Sequence, residues 1–226
     1  MTYSLIITIF NEERTLPELI KRLNNLNDKK IEIIIMNDGS NDSTNFILNK
    51  NNKFIIKRNK INRGKGYSII KGLDFATKNN VILMDGDLEV DINEIPALIK
   101  KYESSKSDVL AGVRWGNKGN NQYSDINMVG NFIINSIFNL LFKTNFNDVL
   151  CCVKILNLKK FKSLNVQSQG FSIEIETMAK MVLNGYSIKE VPIKYNRRTT
   201  KEGKKLKFSD SWNIIWTMLI LRFKNN

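Results

Sequence analysis

The chain has 226 residues, 42% of them hydrophobic and 25% charged, which indicates one folded domain, or one with a small appendage, and excludes a fully disordered chain. Histidine is absent, which excludes Ser-His and Cys-His catalytic pairs and imidazole metal ligands. The formal net charge of +13 favours an anionic partner, namely nucleic acid, a phosphorylated substrate or a membrane surface.

Short apolar runs alternate with amphipathic segments through the first half of the chain. The apolar, β-branched runs predict buried strands at 3–9, 31–36, 53–57, 81–84 and 109–113. Apolar residues at helical spacing, and the segments between the strands, predict helices at 12–26, 42–48, 64–77 and 93–102. This alternation predicts an α/β fold with a mostly parallel, twisted sheet that is covered by helices on both faces.

Polar clusters follow three of these strands: Phe10-Asn11-Glu12, Asn37-Asp38-Gly39-Ser40 and Asp85-Gly86-Asp87. Ligands of parallel α/β sheets bind beyond the carboxyl ends of the strands, so the three clusters predict one site. The third cluster begins an acidic segment with no basic residue: Asp85, Asp87, Glu89, Asp91 and Glu94. Like charges that close repel one another, which favours a bound divalent cation; the alternative is a solvated acidic turn.

Two apolar helices are predicted in the second half, at 129–142 and 212–223. In the first, asparagines recur every fourth residue and form one narrow polar stripe: Asn127, Asn131, Asn135 and Asn139. The second contains Trp212 and Trp216 and ends in Arg-Phe-Lys. Two interpretations stay open: both helices pack in the core or in a homodimer interface, or they form a surface that lies against a membrane.

The sequence shows few features that indicate a cellular location. Cys151 and Cys152 are adjacent, which does not suit an ordinary disulfide or a metal motif. The first residues lack the basic start of a signal peptide, and no apolar run approaches the roughly 20 residues that span a bilayer. We therefore expect a reduced, cytoplasmic location and a protein that is soluble or peripheral on the inner face of the membrane.

Eight segments carry a family resemblance. They are Ile9-Phe10-Asn11-Glu12-Glu13, 37–44, Asn62-Arg63-Gly64-Lys65-Gly66, Asp85-Gly86-Asp87, the D-x-x-x-C-x-K segment at 148–154, 170–176, Glu190-Val191-Pro192-Ile193, and Arg198 with 202–205. In this order the first four resemble the family 2 glycosyltransferases of GT-A fold. The later four are similar to the branch that transfers sugars to dolichyl or polyprenyl phosphate. The resemblance covers about residues 4 to 210.

The resemblance implies a nucleotide-diphosphate sugar donor, a divalent metal, an inverting transfer and a lipid-linked acceptor. Mg²⁺ or Mn²⁺, which prefers oxygen ligands, would bind Asp87 with Asp85 and Glu89 near it, although Asp85 could instead face the ribose or the donor sugar. The remaining donor-binding candidates are Phe10, Asn11, Glu12, Asp38, Asn62, Gly64, Lys65 and Gly86. Of these, Glu12 and Asp38 would face the base and the ribose.

Four basic residues are candidates for the phosphates of donor or acceptor: Arg114, Arg198, Lys204 and Lys205. Asp148 is a candidate general base, needed only if the acceptor is an alcohol, because a lipid phosphate is already ionised. The catalytic candidates are therefore Asp87, Asp148 and Arg114.

We expect a catalytic domain at 1–208, with a nucleotide-sugar half at 1–115 and an acceptor half at 116–208, followed by a C-terminal apolar and basic helix at 209–226. The preferred acceptor is a polyprenyl phosphate at an anionic membrane surface, and diacylglycerol or a cell-surface glycan are alternatives. A basic nucleic-acid-binding protein would explain the charge but not the carboxylate cluster, so no nucleic acid is expected.

Overall fold

The computed structural model describes residues 1–26, 28–114, 126–198 and 208–224, with only the backbone at 126–128 and 208–210. The strands are β1 Tyr3–Ile9, β2 Ile31–Asn37, β3 Ile55–Arg58, β4 Asn80–Asp85, β5 Val109–Val113, β6 Lys154–Asn157 and β7 Ile188–Pro192. The helices are α1 Leu16–Asn25, α2 Thr44–Asn49, α3 Lys65–Phe75, α4 Ile95–Ser104, α5 Ile126–Phe142, α6 Leu158–Ser163, α7 Ile173–Leu183 and α8 Phe208–Phe223, and a 3₁₀ turn, Ile92–Glu94, precedes α4.

The strands form one sheet in the order β3-β2-β1-β4-β6-β5-β7. β3, β2, β1 and β4 are parallel neighbours, as are β5 and β7, whereas β6 runs antiparallel between β4 and β5. The predicted α/β class with a mostly parallel sheet is therefore confirmed. Because β6 is reversed, the carboxyl ends of the six parallel strands and the amino end of β6 meet at the same edge of the sheet.

Helices cover both faces of the sheet, as predicted. One apolar core lies under α1, α2 and α4 and includes Leu19 and Leu98; the other lies under α3, α5, α6, α7 and α8 and includes Phe138 and Met218. The β-branched and leucine side chains of β1 and β4 are buried because both faces of these central strands are covered. The first five strands lie close to their predicted positions. β6 and β7 were not predicted.

The two apolar helices divide their side chains between the core and the exterior. On α5, Ile134 and Phe138 are buried while Phe132 and Leu140 are 71% and 80% exposed. On α8, Ile214 and Met218 are buried, while an apolar stripe remains exposed: Trp212, Trp216, Ile220 and Phe223. One side of each helix therefore packs in the core, and the other side is exposed. Within the described part of the chain, no helix combines the length and apolar character that crossing a membrane requires.

Candidate active site

The carboxyl edge of the sheet brings most of the predicted site residues together. Phe10, Asn11 and Glu12 follow β1, Asp38 follows β2, and Asp85 ends β4. Arg114 follows β5, and Asp148 lies in the segment that leads into β6. Arg198 lies six residues beyond the end of β7. The sheet topology therefore places candidates from both halves of the chain around one edge.

Asp38 organises the loop that precedes α3, which we call the donor loop (residues 59–64). Its Oδ1 accepts hydrogen bonds from Asn59 Nδ2 at 2.7 Å and from Arg63 N at 2.9 Å, and its Oδ2 accepts one from Gly64 N at 2.8 Å. Both carboxylate oxygens are thus occupied within the protein. Gly64 has a φ of 96°, which a residue with a side chain rarely adopts, so the loop enters α3 through a conformation that suits glycine. Asp38 shapes the donor loop, on which Asn62 is exposed.

Asn11 and Glu12 join the ends of β1 and β2. Asn11 has a φ of 51°, its Oδ1 accepts a hydrogen bond from Asn41 N at 3.0 Å, and its backbone N donates to Ser40 Oγ at 2.9 Å. Asparagine tolerates this left-handed conformation better than most residues. Hydrogen bonds therefore fix the loop after β1 against the loop after β2. Phe10, which precedes Asn11, is half-buried.

The surroundings of Asp87 disturb its ionisation. Burial and the negative charges of Asp85 and Glu89 raise the pKa of Asp87 to about 7, although the Glu89 backbone N–H and the charge of Arg198 oppose the shift. Leu88 beside it has a φ of 63°, an uncommon conformation for a bulky side chain. Such strain is concentrated at functional sites, and a raised carboxylate pKa marks a position where a cation would be favourable.

Asp85 and Glu89 are engaged with other groups. Asp85 Oδ2 lies 2.8 Å from Lys65 Nζ, and Asp85 Oδ1 accepts a hydrogen bond from Thr8 Oγ1 at 3.3 Å. Glu89 accepts hydrogen bonds from Tyr195 Oη at 2.8 Å and Arg198 N at 2.9 Å. Among the described residues, no three carboxylate or cysteine side chains form a cluster suited to a metal ion. Asp85 and Glu89 thus have partners within the protein, and their charges act on Asp87. Asp87, with Asp85 and Glu89 near it, stays the candidate set of metal ligands.

The segment after β7 crosses the acidic turn that begins at Asp85, and Arg198 of this segment forms an ion pair with Glu12. Arg198 Nη1 lies 3.0 Å from Glu12 Oε1 and Nη2 lies 2.8 Å from Glu12 Oε2. Burial alone would lower the pKa of Arg198, but the hydrogen bond and charge of Glu12 raise it. Arg198, which was expected to contact phosphates, is therefore bound to Glu12, which was expected to contact the nucleoside.

Arg114 and Asp148 pair in the same way. Arg114 donates to Asp148 through Nε, Nη2 and the backbone N, at 2.8, 2.8 and 3.0 Å. Burial would lower the pKa of Arg114, but the charge of Asp148 outweighs burial and raises it. The phosphate-binding candidate and the candidate base thus neutralise each other.

The polar stripe on α5 holds the segment that carries Asp148. Asn139 Nδ2 donates to Phe146 O at 2.8 Å, and Asn139 Oδ1 accepts from Phe146 N at 2.9 Å. Asn135 Oδ1 accepts a hydrogen bond from Val149 N at 3.0 Å. Two of the predicted stripe asparagines therefore act as a brace for residues 144–149.

Sequence reasoning assigned no role to three residues at this edge: Lys154, Glu174 and Tyr195. Lys154 and Glu174 belong to the 148–154 and 170–176 motifs, and a charged residue within an apolar, buried pattern was the available signal. Gly86, a predicted donor-binding residue, is closely packed, since a side chain there would meet Ile7 and Leu19. Lys204 and Lys205 lie outside the described residues.

A family model for Glycosyl transferase family 2 matches residues 4–165. The chain belongs to this family. The match includes the donor loop, the Asp85-Gly86-Asp87 turn and Asp148, so the edge of the sheet described above is the candidate active site of a glycosyltransferase.

Curated relatives of this glycosyltransferase fall into two groups. An uncharacterized protein of Methanocaldococcus jannaschii is 29% identical over 212 residues, which are 84% of this chain and 87% of that protein. A prophage bactoprenol glucosyl transferase homolog of Escherichia coli is 34% identical over 118 residues, 49% of this chain and 39% of that protein. The similarity to the second group spans well under half the length of those proteins.

Solved structures share the fold of this glycosyltransferase. Glucosyl-3-phosphoglycerate synthase from Mycobacterium tuberculosis superimposes with a TM-score of 0.77 and 17% identity over 98% of this chain and 80% of that chain. A second structure of that enzyme, in complex with Mn²⁺, uridine diphosphate and glucosyl-3-phosphoglycerate, gives a TM-score of 0.76, also at 17% identity, over 98% of this chain and 80% of that one. The similarity confirms the GT-A fold.

Proposed function

We propose that this glycosyltransferase moves a sugar from a nucleotide-diphosphate donor to a polyprenyl phosphate, with inversion at the anomeric carbon, while bound peripherally at the cytoplasmic face of a membrane. The observation that carries the lipid acceptor is the pair of exposed apolar stripes on α5 and α8. The identity to bactoprenol glucosyl transferases supports the same class of acceptor.

A divalent metal fits the residues present. Asp87 is a partly buried carboxylate whose pKa of about 7 reflects burial and nearby negative charge, and a cation would relieve both. Carboxylate oxygens suit Mg²⁺ and Mn²⁺, and the structural neighbour binds Mn²⁺ with uridine diphosphate. A bound ion would neutralise the charge that develops on the departing nucleoside diphosphate.

The protein's own residues would orient the donor. Asp38 fixes the donor loop, and Gly64 packs so closely on the backbone of Gln169 that a side chain there would not fit. Phosphates or ribose would lie against the loop that these contacts hold. A lipid phosphate oxygen would attack the anomeric carbon from the face opposite the leaving group. It needs no general base because it is ionised at neutral pH, which agrees with the pairing of Asp148 to Arg114.

The acceptor would approach from the side of α8. A cavity of about 290 Å³ lies between residues 168–172 and the α8 residues Asn213, Trp216 and Thr217. The same loop packs on α3, where Tyr67 N donates to Gln169 O at 3.0 Å. The loop at 168–172 therefore lies between the exposed apolar stripe of α8 and the candidate active site.

The activity test incubates the protein with a panel of nucleotide sugars, Mn²⁺ and one of three acceptors: a polyprenyl phosphate, diacylglycerol or glycerol 3-phosphate. We expect the sugar to enter the organic phase only with the polyprenyl phosphate, and Asp87→Asn to abolish this transfer. Transfer to glycerol 3-phosphate alone would overturn the lipid acceptor, and transfer to diacylglycerol alone would favour the alternative lipid.

The membrane test measures co-sedimentation with anionic vesicles at physiological salt. Phe132→Ser and Trp212→Ser should each weaken binding about tenfold, because each removes a large apolar side chain from the interface. Phe46→Ser is the matched control, since Phe46 is 62% exposed on α2, on the opposite face of the sheet. Absence of vesicle binding, or an equal loss with Phe46→Ser, would contradict peripheral docking.

A further inference from the structure

A row of four alternating charges runs beneath the candidate donor site, from Asp85 through Lys65 and Glu174 to Lys154. Lys65 Nζ lies 2.8 Å from Asp85 Oδ2 and 2.7 Å from Glu174 Oε1. Lys154 Nζ forms an ion pair with Glu174 Oε2 and donates to Cys151 O at 2.5 Å. We infer that Glu174 and Lys154 are positioning residues, which hold Lys65 against Asp85 and so set the geometry of the donor site; the inference rests on the proposed function.

The four residues come from four different elements. Asp85 ends β4, Lys65 begins α3 directly after the donor loop, Glu174 lies in the first turn of α7, and Lys154 begins β6. The row therefore connects the donor-side strands to elements of the acceptor half. Lys154 extends it to the carbonyl of Cys151, three residues beyond Asp148.

Stability alone does not explain this row. Lys154 is 1% exposed and Glu174 is 5% exposed, so both charges have lost their hydration. Removing charges from water is costly, and a buried ion pair is often no more stabilising than apolar side chains of similar volume. What the row does supply is fixed geometry, because Lys65 lies between two carboxylates and Glu174 lies between two ammonium groups.

The geometry that it fixes is that of Lys65 and Asp85. Lys65 Nζ lies within hydrogen-bond distance of both Asp85 Oδ2 and Glu174 Oε1, so the two carboxylates hold the ammonium between them. Asp85 is in turn held between Lys65 Nζ and Thr8 Oγ1. Without Glu174, the ammonium would be free to leave this position, and Asp85 would lose the orientation in which it faces the donor.

The acidic pattern of α7 supports the donor loop through a second route. Glu176 accepts hydrogen bonds from Gln167 N at 3.0 Å and Ser168 N at 2.6 Å. Residues 168 and 169 pack directly on Gly66, where no side chain would fit. The first turn of α7 therefore supports the start of α3 in two ways. Glu174 pairs with the Lys65 side chain, and Glu176 holds the backbone that packs on Gly66.

The test compares Glu174→Gln with the parent and with Asp108→Asn. The control makes the same carboxylate-to-amide change in the Lys160–Asp108 pair beside the amino end of β5. Binding of UDP with Mn²⁺ and of GDP with Mn²⁺ is measured by titration calorimetry, and donor and acceptor KM are measured by transfer. Glu174→Gln should weaken nucleotide binding and raise donor KM about tenfold or more, the factor expected for one charge-assisted interaction. Acceptor KM should stay within about twofold, and Asp108→Asn should match the parent in every value.

A donor KM and a nucleotide affinity within about twofold of the parent would overturn the inference. A merely structural role would lower the thermal midpoint without this change, because the measurements are made well below the transition. If Glu174→Gln fails to fold, the double variant Glu174→Leu/Lys154→Met removes both charges and leaves no unpaired one; it should show the same donor-specific loss, and an unchanged donor KM in that folded variant would overturn the inference.

The two proposals fail in distinguishable ways. A parent protein that binds UDP or GDP with Mn²⁺ but transfers no sugar to a polyprenyl phosphate refutes the acceptor assignment only, and the calorimetry still decides the role of Glu174. A parent protein that binds neither nucleotide with Mn²⁺ refutes the proposed function and the positioning role together.

Discussion

Arg114 and Asp148 face each other in a bidentate ion pair, in which Nε lies 2.8 Å from Oδ2 and Nη2 lies 2.8 Å from Oδ1. Glu190 accepts hydrogen bonds from the backbone N of Asn147 and of Asp148, so the carboxylate is held in place from β7 as well. An aspartate whose oxygens are both occupied by a guanidinium is poorly suited to accept a substrate proton. The pair agrees better with a phosphate acceptor than with an alcohol.

Asp148→Asn should destabilise the protein, because it leaves the guanidinium of Arg114 buried without its counter-charge. The expected cost is about 3–5 kcal/mol in the free energy of unfolding, the range found when one partner of a buried pair is removed. Urea denaturation followed by circular dichroism measures it. Asp108→Asn, in the more exposed pair with Lys160, should cost less than about 1 kcal/mol. An Asp148→Asn protein of parental stability that has lost all transfer would instead indicate a chemical role.

Asp87→Asn should abolish Mn²⁺-dependent transfer and should not lower stability in the absence of metal. The pKa of Asp87 is raised to about 7, so the folded state disfavours its ionised form, and at pH 8 a neutral amide removes that penalty. Thermal unfolding at pH 8, with and without Mn²⁺ plus UDP, tests both parts. The ligands should raise the parent midpoint by a shift equivalent to about 2.7 kcal/mol at a hundredfold excess over Kd, and leave the variant unchanged. Equal stabilisation of both proteins would mean that the ion binds elsewhere.

Asn139→Leu should loosen residues 144–149, which depend on three hydrogen bonds to the Asn139 side chain. Leaving the partners of that amide unsatisfied should cost about 1–3 kcal/mol. Hydrogen exchange should show faster exchange at the Phe146 amide, and urea denaturation gives the cost. Asn131→Leu is the control, because the described part of the chain shows no hydrogen bond to that side chain. Equal effects of the two substitutions would argue against the brace.

Glu176→Gln should lower stability at neutral pH but not in acid. Burial would raise the pKa of Glu176, but the hydrogen bonds from Lys180, Ser168 and Gln167 outweigh it and lower the pKa below its ordinary value. A carboxylate of this kind stabilises the fold above its unfolded pKa, about 4.3, and loses that contribution as the pH falls through the lower folded pKa. The difference in unfolding free energy between parent and variant should be about 1–3 kcal/mol at pH 7 and should shrink below pH 4. Asp74→Asn, at an exposed carboxylate, should show no such dependence; a difference independent of pH would refute the assignment.

The sequence predicted the first five strands and the edge at which their polar ends meet, because buried β-branched runs and strand-end turns are local signals. It did not predict β6, whose antiparallel pairing with both β4 and β5 depends on residues far apart in the chain. The ion-pair partners of the charged site residues could not be predicted for the same reason, because they are distant in the sequence. Arg114 and Arg198 were expected to meet phosphates and Lys65 to bind the donor, yet each lies against a carboxylate from another element.

The ion pair of Glu12 and Arg198 joins residues 186 positions apart, one directly after the first strand and one beyond the last. Closing so long a loop has an entropic cost that only long-range contacts recover, and folds rich in such contacts form slowly. In a growing chain, Arg198 is added long after the acidic turn that begins at Asp85. The acidic turn then stays uncovered until the segment around Arg198 has been synthesised. The site is therefore complete only after residue 198 has been added to the chain.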